Sequence, residues 1–234
     1  CDLLEKIDLI FVQDEESKKI LKKKKIDSIL SGDPRIDQVL LDQEEPKKEN
    51  LLIKNFINGE KVILAGSTDS EDYSLFKDLM NEGEEKWIIV PHENSKKEIT
   101  NLVKRIKKKW SLYSNPNDLK KSKILIIDKL GILKYIYKYS NIVYVGGGFS
   151  KGIHNCLEPA IFGKPILLGP KYKNFPEANY FINNKIAFCV KNQKEFKNLI
   201  LNQEFNYSDL KIKTRLFFNK HKGASQRIIK EISI

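Results

Sequence analysis

The chain has 234 residues, with 42 Lys+Arg against 31 Asp+Glu and a formal net charge of +11. That length holds one large domain or two small ones, and 41% hydrophobic with 31% charged residues is enough to bury a core, which excludes a wholly disordered chain. No apolar run approaches the ~18–20 residues of a spanning helix, and three cysteines (Cys1, Cys156, Cys189) are too few and too scattered for a disulfide framework or a zinc site.

A reducing, cytoplasmic setting is expected. Only four basic residues are Arg (Arg35, Arg105, Arg215, Arg227); the Lys excess looks like codon bias rather than base reading, for which the planar Arg fork is preferred. Nucleic acid is therefore not an expected partner. A basic surface still suits an anionic membrane or another polyanion. The chain starts at Cys1 with Asp8–Gln13 running straight into a helical pattern and has no signal-peptide pattern, so it reads as the interior of a domain whose beginning is missing.

In chain order, short apolar runs predict strands at Leu9–Val12, Val62–Gly66, Trp87–Pro91, Ile124–Asp128, Ile142–Gly146, Ile166–Leu168 and Ala187–Val190. Helical patterns fall at 14–25, 71–82, 95–109, 131–139, 155–163, 176–184 and 193–202. Strands without alternation are buried on both faces, and their alternation with helices predicts a doubly wound, mostly parallel sheet. A polar seam at 38–50 reads as a linker, and 207–234 as two helices broken near Lys222-Gly223.

The densest motif is Tyr144-Val-Gly-Gly-Gly-Phe-Ser-Lys-Gly-Ile-His-Asn-Cys-Leu-Glu-Pro-Ala160. Gly146, Gly147 and Gly148 end a strand and let the backbone approach a ligand. A helix starting near His154 or Asn155 would offer unpaired N–H groups and a dipole, an anion site. Asn155 is an N-cap type, and Glu158 either completes a capping box or accepts hydrogen bonds from a ligand. His154 is open between a structural and a functional role.

The stretch Gly152-Ile-His-Asn-Cys-Leu-Glu-Pro-Ala-Ile-Phe-Gly-Lys-Pro-Ile-Leu-Leu-Gly-Pro170 resembles the signature of the 3-deoxy-D-manno-octulosonic acid (Kdo) transferases. Supporting pieces follow in order: Ser31–Asp37 before the seam, Gly66-Ser67-Thr68, Pro91-His92-Glu93, Asp128–Gly131 and Asn174–Ala178. Two departures stand out. His92 follows Pro91 where many members carry Arg, and Gly131-Ile132-Leu133 lacks the usual Glu.

The resemblance implies an α/β protein of the GT-B type: a carboxyl-terminal Rossmann-like donor domain over 51–206, a linker at 41–50, and the end of a second Rossmann-like, amino-terminal acceptor domain over 1–40. Helices at 207–234 would pack toward the interdomain seam. It implies transfer of Kdo from CMP-Kdo to a lipid A precursor (lipid IVA) in lipopolysaccharide core synthesis, at the cytoplasmic face of the bacterial inner membrane, with an anionic membrane surface as partner.

Implied donor-binding residues are Ser67, Pro91, His92, Gly131, Gly146, Gly147, Gly148, His154, Asn155 and Glu158. Glu158 would take the ribose hydroxyls, the loop and helix start the phosphate, and the backbone around Pro91 and Gly131 the cytosine. The catalytic base is expected upstream of Cys1, which would leave this chain inactive alone. No cofactor and no metal are expected. The alternatives are a GT-B enzyme using a UDP-sugar and a non-catalytic nucleotide-binding remnant.

Overall fold

The computed structural model describes residues 4–44 and 49–233. The chain divides into two compact units, Cys1–Pro46 with Arg215–Ile234, and Lys47–Thr214.

In the first unit, β1 (Phe11–Val12) leads through α1 (Glu15–Lys23) to β2 (Ile29–Leu30), which pairs parallel with β1. Asp14 caps α1 by accepting from Ser17 N at 2.7 Å. Helix α2 (Pro34–Glu44) takes in 38–44 of the seam and so the first four residues of the expected 41–50 linker. Pro34 sits in its first turn, where no N–H is needed, and Ile36 and Val39 bury one face; the charged run after Asp42 hid this periodicity. Of the expected linker, 45–48 lie outside the described residues. Asp37 accepts from Gly223 N (2.6 Å) and Ser225 N (2.7 Å), tying α2 to the start of α11 (Ala224–Ile232). Burial alone would raise that carboxyl's pKa, but these hydrogen bonds and nearby Arg227 hold it below the usual value.

The second unit carries seven parallel strands in the order β5-β6-β4-β3-β7-β8-β9. Its elements run α3 (Leu51–Ile57), β3 (Val62–Thr68), α4 (Ser70–Glu82), β4 (Lys86–Pro91), α5 (Lys96–Val103), β5 (Trp110–Leu112), β6 (Ile124–Ile126), α6 (Leu133–Ile136), β7 (Ile142–Val145), α7 (Leu157–Ala160), β8 (Ile166–Leu168), α8 (Pro176–Asn183), β9 (Ala187–Cys189) and α9 (Gln193–Leu201). Helix α10 (Tyr207–His221) spans the division at Thr214 and Arg215. Strands β3, β4, β6 and β7 are buried almost throughout, as continuous apolar runs require when helices cover both faces. One side of the sheet gathers an aromatic cluster in which Phe76 stacks on Trp87 at 5.2 Å and meets Tyr144 at 5.8 Å. Buried Lys86 is held by Glu60 at 2.9 Å and donates to the Phe56 carbonyl, so its charge is compensated.

Several expected elements are shorter than read. The 95–109 pattern ends at Val103, and its remainder leads to edge strand β5, which the Lys-rich sequence concealed. The 131–139 pattern is α6 followed by a 3-10 turn. The 155–163 helix is only the four residues of α7. Pro159 withholds an N–H, and Gly163 ends the segment at φ +63°.

The chain leaves β3 toward β4 on one side and returns as β7 on the other. The order of the sheet therefore reverses between β3 and β7, and in open parallel sheets ligands bind outside the carboxyl ends of such a pair.

Candidate functional site

At that reversal lies a cavity of about 320 Å³ lined by Ser67, His92, Gly131, Leu133, Lys134, Tyr137, His154, Asn155 and Glu158. Six of the ten expected donor-binding residues thus line one space. Ser67, next to last in β3, has φ +52°, a left-handed conformation unusual for a residue with a Cβ, at a shift of register between Gly66 and Thr68. Asn155 turns the chain into α7: its Oδ1 accepts from Leu157 N at 2.9 Å, and its Nδ2 donates to Glu158 Oε1 at 3.2 Å. That second bond orients the half-buried Glu158 carboxylate at the cavity wall. The first makes Asn155 an Asx-type turn residue, with Cys156 at the cap. Tyr137 is fully buried; burial, then Glu158 and Cys156, push its phenol pKa well up, so it stays a neutral hydroxyl.

Pro91 is placed apart from Gly131. It lines a neighbouring cavity of about 350 Å³ with Asp69, Glu71, Glu93, Glu98, Ser150 and Lys151. Pro91, which pairs in register with Thr68, is thus not among the residues lining the cavity of Gly131. His92 and His154 belong to both cavities and stack with ring centroids 4.2 Å apart and planes at 26°. Burial, and then His92, lower the pKa of His154, with Asp69 opposing them.

The three glycines lie beside the cavity and are not among its lining residues. A side chain on Gly147 would meet Gly152 O at 2.3 Å, and its φ is +86°. Gly148 and Gly169 touch backbone to backbone, a Cβ on Gly148 meeting Gly169 Cα at 2.6 Å. The glycines here allow two strand ends and a loop to interlock.

Most of the loop's N–H groups are engaged inside the fold. Gly146 N donates to Gly66 O (2.9 Å), Gly147 N to Asp72 Oδ2 (2.9 Å), Gly152 N to Gly147 O (3.1 Å) and His154 N to Gly146 O (3.0 Å). Helix α7 is only one turn long, and Leu157 N is already taken by Asn155. The cationic or protonatable groups that do line the space are His92, His154 and Lys134.

Asp72 is the residue that sequence reading missed. It is fully buried under the loop, accepts from Tyr144 Oη at 2.5 Å, Asp69 N at 3.0 Å and Gly147 N at 2.9 Å, and so joins α4, β7 and the glycine loop. Its only signal in the sequence is its place three residues after the cap Asp69, the return half of a capping box. Among the described residues, no group of three or more His, Cys, Asp or Glu side chains is placed to hold a metal ion.

No family model matches the chain. It is 34% identical over 197 residues to a bifunctional glycosyltransferase/methyltransferase of Fusobacterium nucleatum, covering 79% of this chain and 30% of that protein. It is 28% identical over 187 residues to the 3-deoxy-D-manno-octulosonic acid transferase of Rickettsia prowazekii, covering 76% and 40%. The chain thus spans less than half the length of these curated relatives. Among solved structures, the carboxyl-terminal CMP-Kdo binding domain of WaaA from Acinetobacter baumannii matches with a TM-score of 0.58 at 20% identity, over 70% of this chain and 96% of that domain. Anabaena HepE in complex with UDP-glucose matches with a TM-score of 0.60 at 10% identity, over 99% of this chain and 65% of that one. The chain has the GT-B glycosyltransferase fold and is a member of the 3-deoxy-D-manno-octulosonic acid transferase group.

Proposed function

We propose that this chain is the donor side of a transferase that moves Kdo from CMP-Kdo to a lipid A precursor. The unit Lys47–Thr214 is the donor domain in this reading, and Cys1–Pro46 with Arg215–Ile234 belongs to the acceptor side. The observation that carries it is the meeting of Ser67, His92, Gly131, His154, Asn155 and Glu158 in one cavity at the reversal of the sheet. Kdo transferase relatives and the likeness to a CMP-Kdo binding domain support this donor. The leaving group of such a transfer is CMP, whose charge has to be met as it departs. Glu158, held by Asn155, is suited to ribose hydroxyls; Gly131, with no atom within 4 Å of a would-be Cβ, leaves room for a base.

Replacing Glu158 with Ala is expected to weaken CMP by ~1–3 kcal/mol, the cost of losing hydrogen bonds to a charged group. Calorimetric titration of CMP reads it, and unchanged affinity in a folded variant rejects the role. A second reading, a UDP-sugar donor, rests on the fold likeness to the HepE complex with UDP-glucose. Titration with UDP beside CMP decides, since the proposed reading requires the tighter binding to be CMP's.

A lipid acceptor implies work at a membrane surface, in this reading the cytoplasmic face of an inner membrane. Residues 96–123 hold ten basic side chains against two acidic, and Lys96, Lys97, Lys104, Lys107, Lys120 and Lys121 are exposed. Each Lys near an anionic bilayer contributes ~1 kcal/mol. The chain should co-sediment with vesicles containing phosphatidylglycerol and not with pure phosphatidylcholine; equal partition would contradict the membrane role.

A further inference from the structure

We propose that the stacked His92–His154 pair binds the donor's phosphate as a proton-linked unit, taking up a proton as the anion enters. This rests on the reading of the cavity as a nucleotide site and adds which groups hold the phosphate and under what conditions.

The geometry puts the pair in a position to share that task with Lys134, which lines the same cavity. The N–H groups of Gly146, Gly147, Ser150, Gly152 and His154 are engaged internally, α7 is one turn long, and Asn155 Oδ1 occupies the Leu157 N–H. Asp72, beneath the loop, adds negative rather than positive charge there. The two imidazoles stand where the two cavities meet, His92 exposed at the rim and His154 half-buried behind it. Rings 4.2 Å apart cannot both carry a charge without strong repulsion.

The charges facing the pair come from every neighbouring element. Asp69 and Glu71 at the start of α4, and Glu93 and Glu98 after β4, lie on one side with Lys151 of the loop. Lys134 of α6 and Glu158 of α7 lie on the other. Asp69 favours a protonated His154, and burial and His92 oppose it. A phosphodiester anion at the mouth adds a negative charge beside the rings and tips this balance toward the imidazolium. The proton comes from solvent and sits on one ring nitrogen, which then donates to a phosphate oxygen.

The test titrates the full chain with cytidine 5′-monophosphate methyl ester, whose phosphodiester keeps one charge across the range studied, at pH 5.5, 7.0 and 8.5. At pH 7.0 it is repeated in two buffers of different ionisation enthalpy, which measures protons taken up and needs no variant. Expected are about tenfold tighter binding at pH 5.5 than at 8.5, net proton uptake at pH 7.0, and loss of both in His92→Gln with His154→Gln. Binding that is measurable but independent of pH, with no uptake, overturns the proton-linked pair and leaves the nucleotide site standing. No binding at any pH overturns both.

Discussion

Replacing Asp72 with Ala is expected to remove about 3–5 kcal/mol of stability and to weaken CMP at least tenfold. Three donors point at this carboxylate, Tyr144 Oη, Asp69 N and Gly147 N, and the residue is fully buried. A buried donor left without its partner costs ~1–3 kcal/mol, and three in one network do not simply add. The total still falls in the range reserved for broken buried networks. Urea denaturation should show a lower midpoint with unchanged slope, because the fold exposes the same surface on unfolding. The effect on binding follows from position. Gly147 is held against Gly152 and His154 with no space to spare, and Asp72 is the side chain that fixes its N–H. Freed of that bond, the loop moves the His154 ring and with it the cavity wall. A variant of reduced stability that keeps full CMP affinity would show Asp72 to be structural only.

The parallel sheet was legible because its strands obey one rule. Val62–Ala65, Trp87–Val90 and Ile142–Val145 are apolar without alternation, and a sheet covered on both faces demands that pattern. Strand β5 escaped because Trp110-Ser-Leu112 is short, carries a polar residue and follows three lysines. Helix α2 escaped because charge after Asp42 outweighed the buried Ile36 and Val39. The cavity residues were legible as a set, since Ser67 lies at a strand end, His92, Gly131 and Asn155–Glu158 each come after one, and strand ends meet at one edge of a parallel sheet. How the loop is held was not. Gly147 depends on a carboxylate 75 residues earlier in the chain, and no local pattern around either residue announces the bond. Glycines advertise close approach without saying whether backbone or ligand makes it, and Gly148 meets the backbone of Gly169.

The pH dependence of stability should carry the signature of Asp72. Burial lifts its pKa from 3.8 to about 6, the three hydrogen bonds and nearby Asp69 modifying that rise. The native carboxyl thus keeps its proton at pH values where the unfolded one has lost it. Its contribution is fully present below about 3.8 and is lost as pH rises through about 6. At 1.36 kcal/mol per unit, this amounts to about 3 kcal/mol between those limits. Asp37 and Glu60 run the other way: hydrogen bonds to Asp37 and the Lys123 and Lys86 partners of Glu60 lower their pKa values, and their contributions fade as pH falls. The raw profile therefore mixes opposing terms, and Asp72→Asn separates them. Asn cannot titrate, and its amide can still accept from Gly147 N and donate toward the Tyr144 oxygen. Denaturation midpoints of the two chains at pH 4, 5, 6 and 7 should show the native chain losing up to about 3 kcal/mol relative to the variant across pH 4–6, then running parallel to it. Parallel curves across the whole range would mean that Asp72 ionises as readily in the folded chain as in the unfolded one. At pH 7, above that value, the carboxylate is charged and sets a negative group beneath the glycine loop.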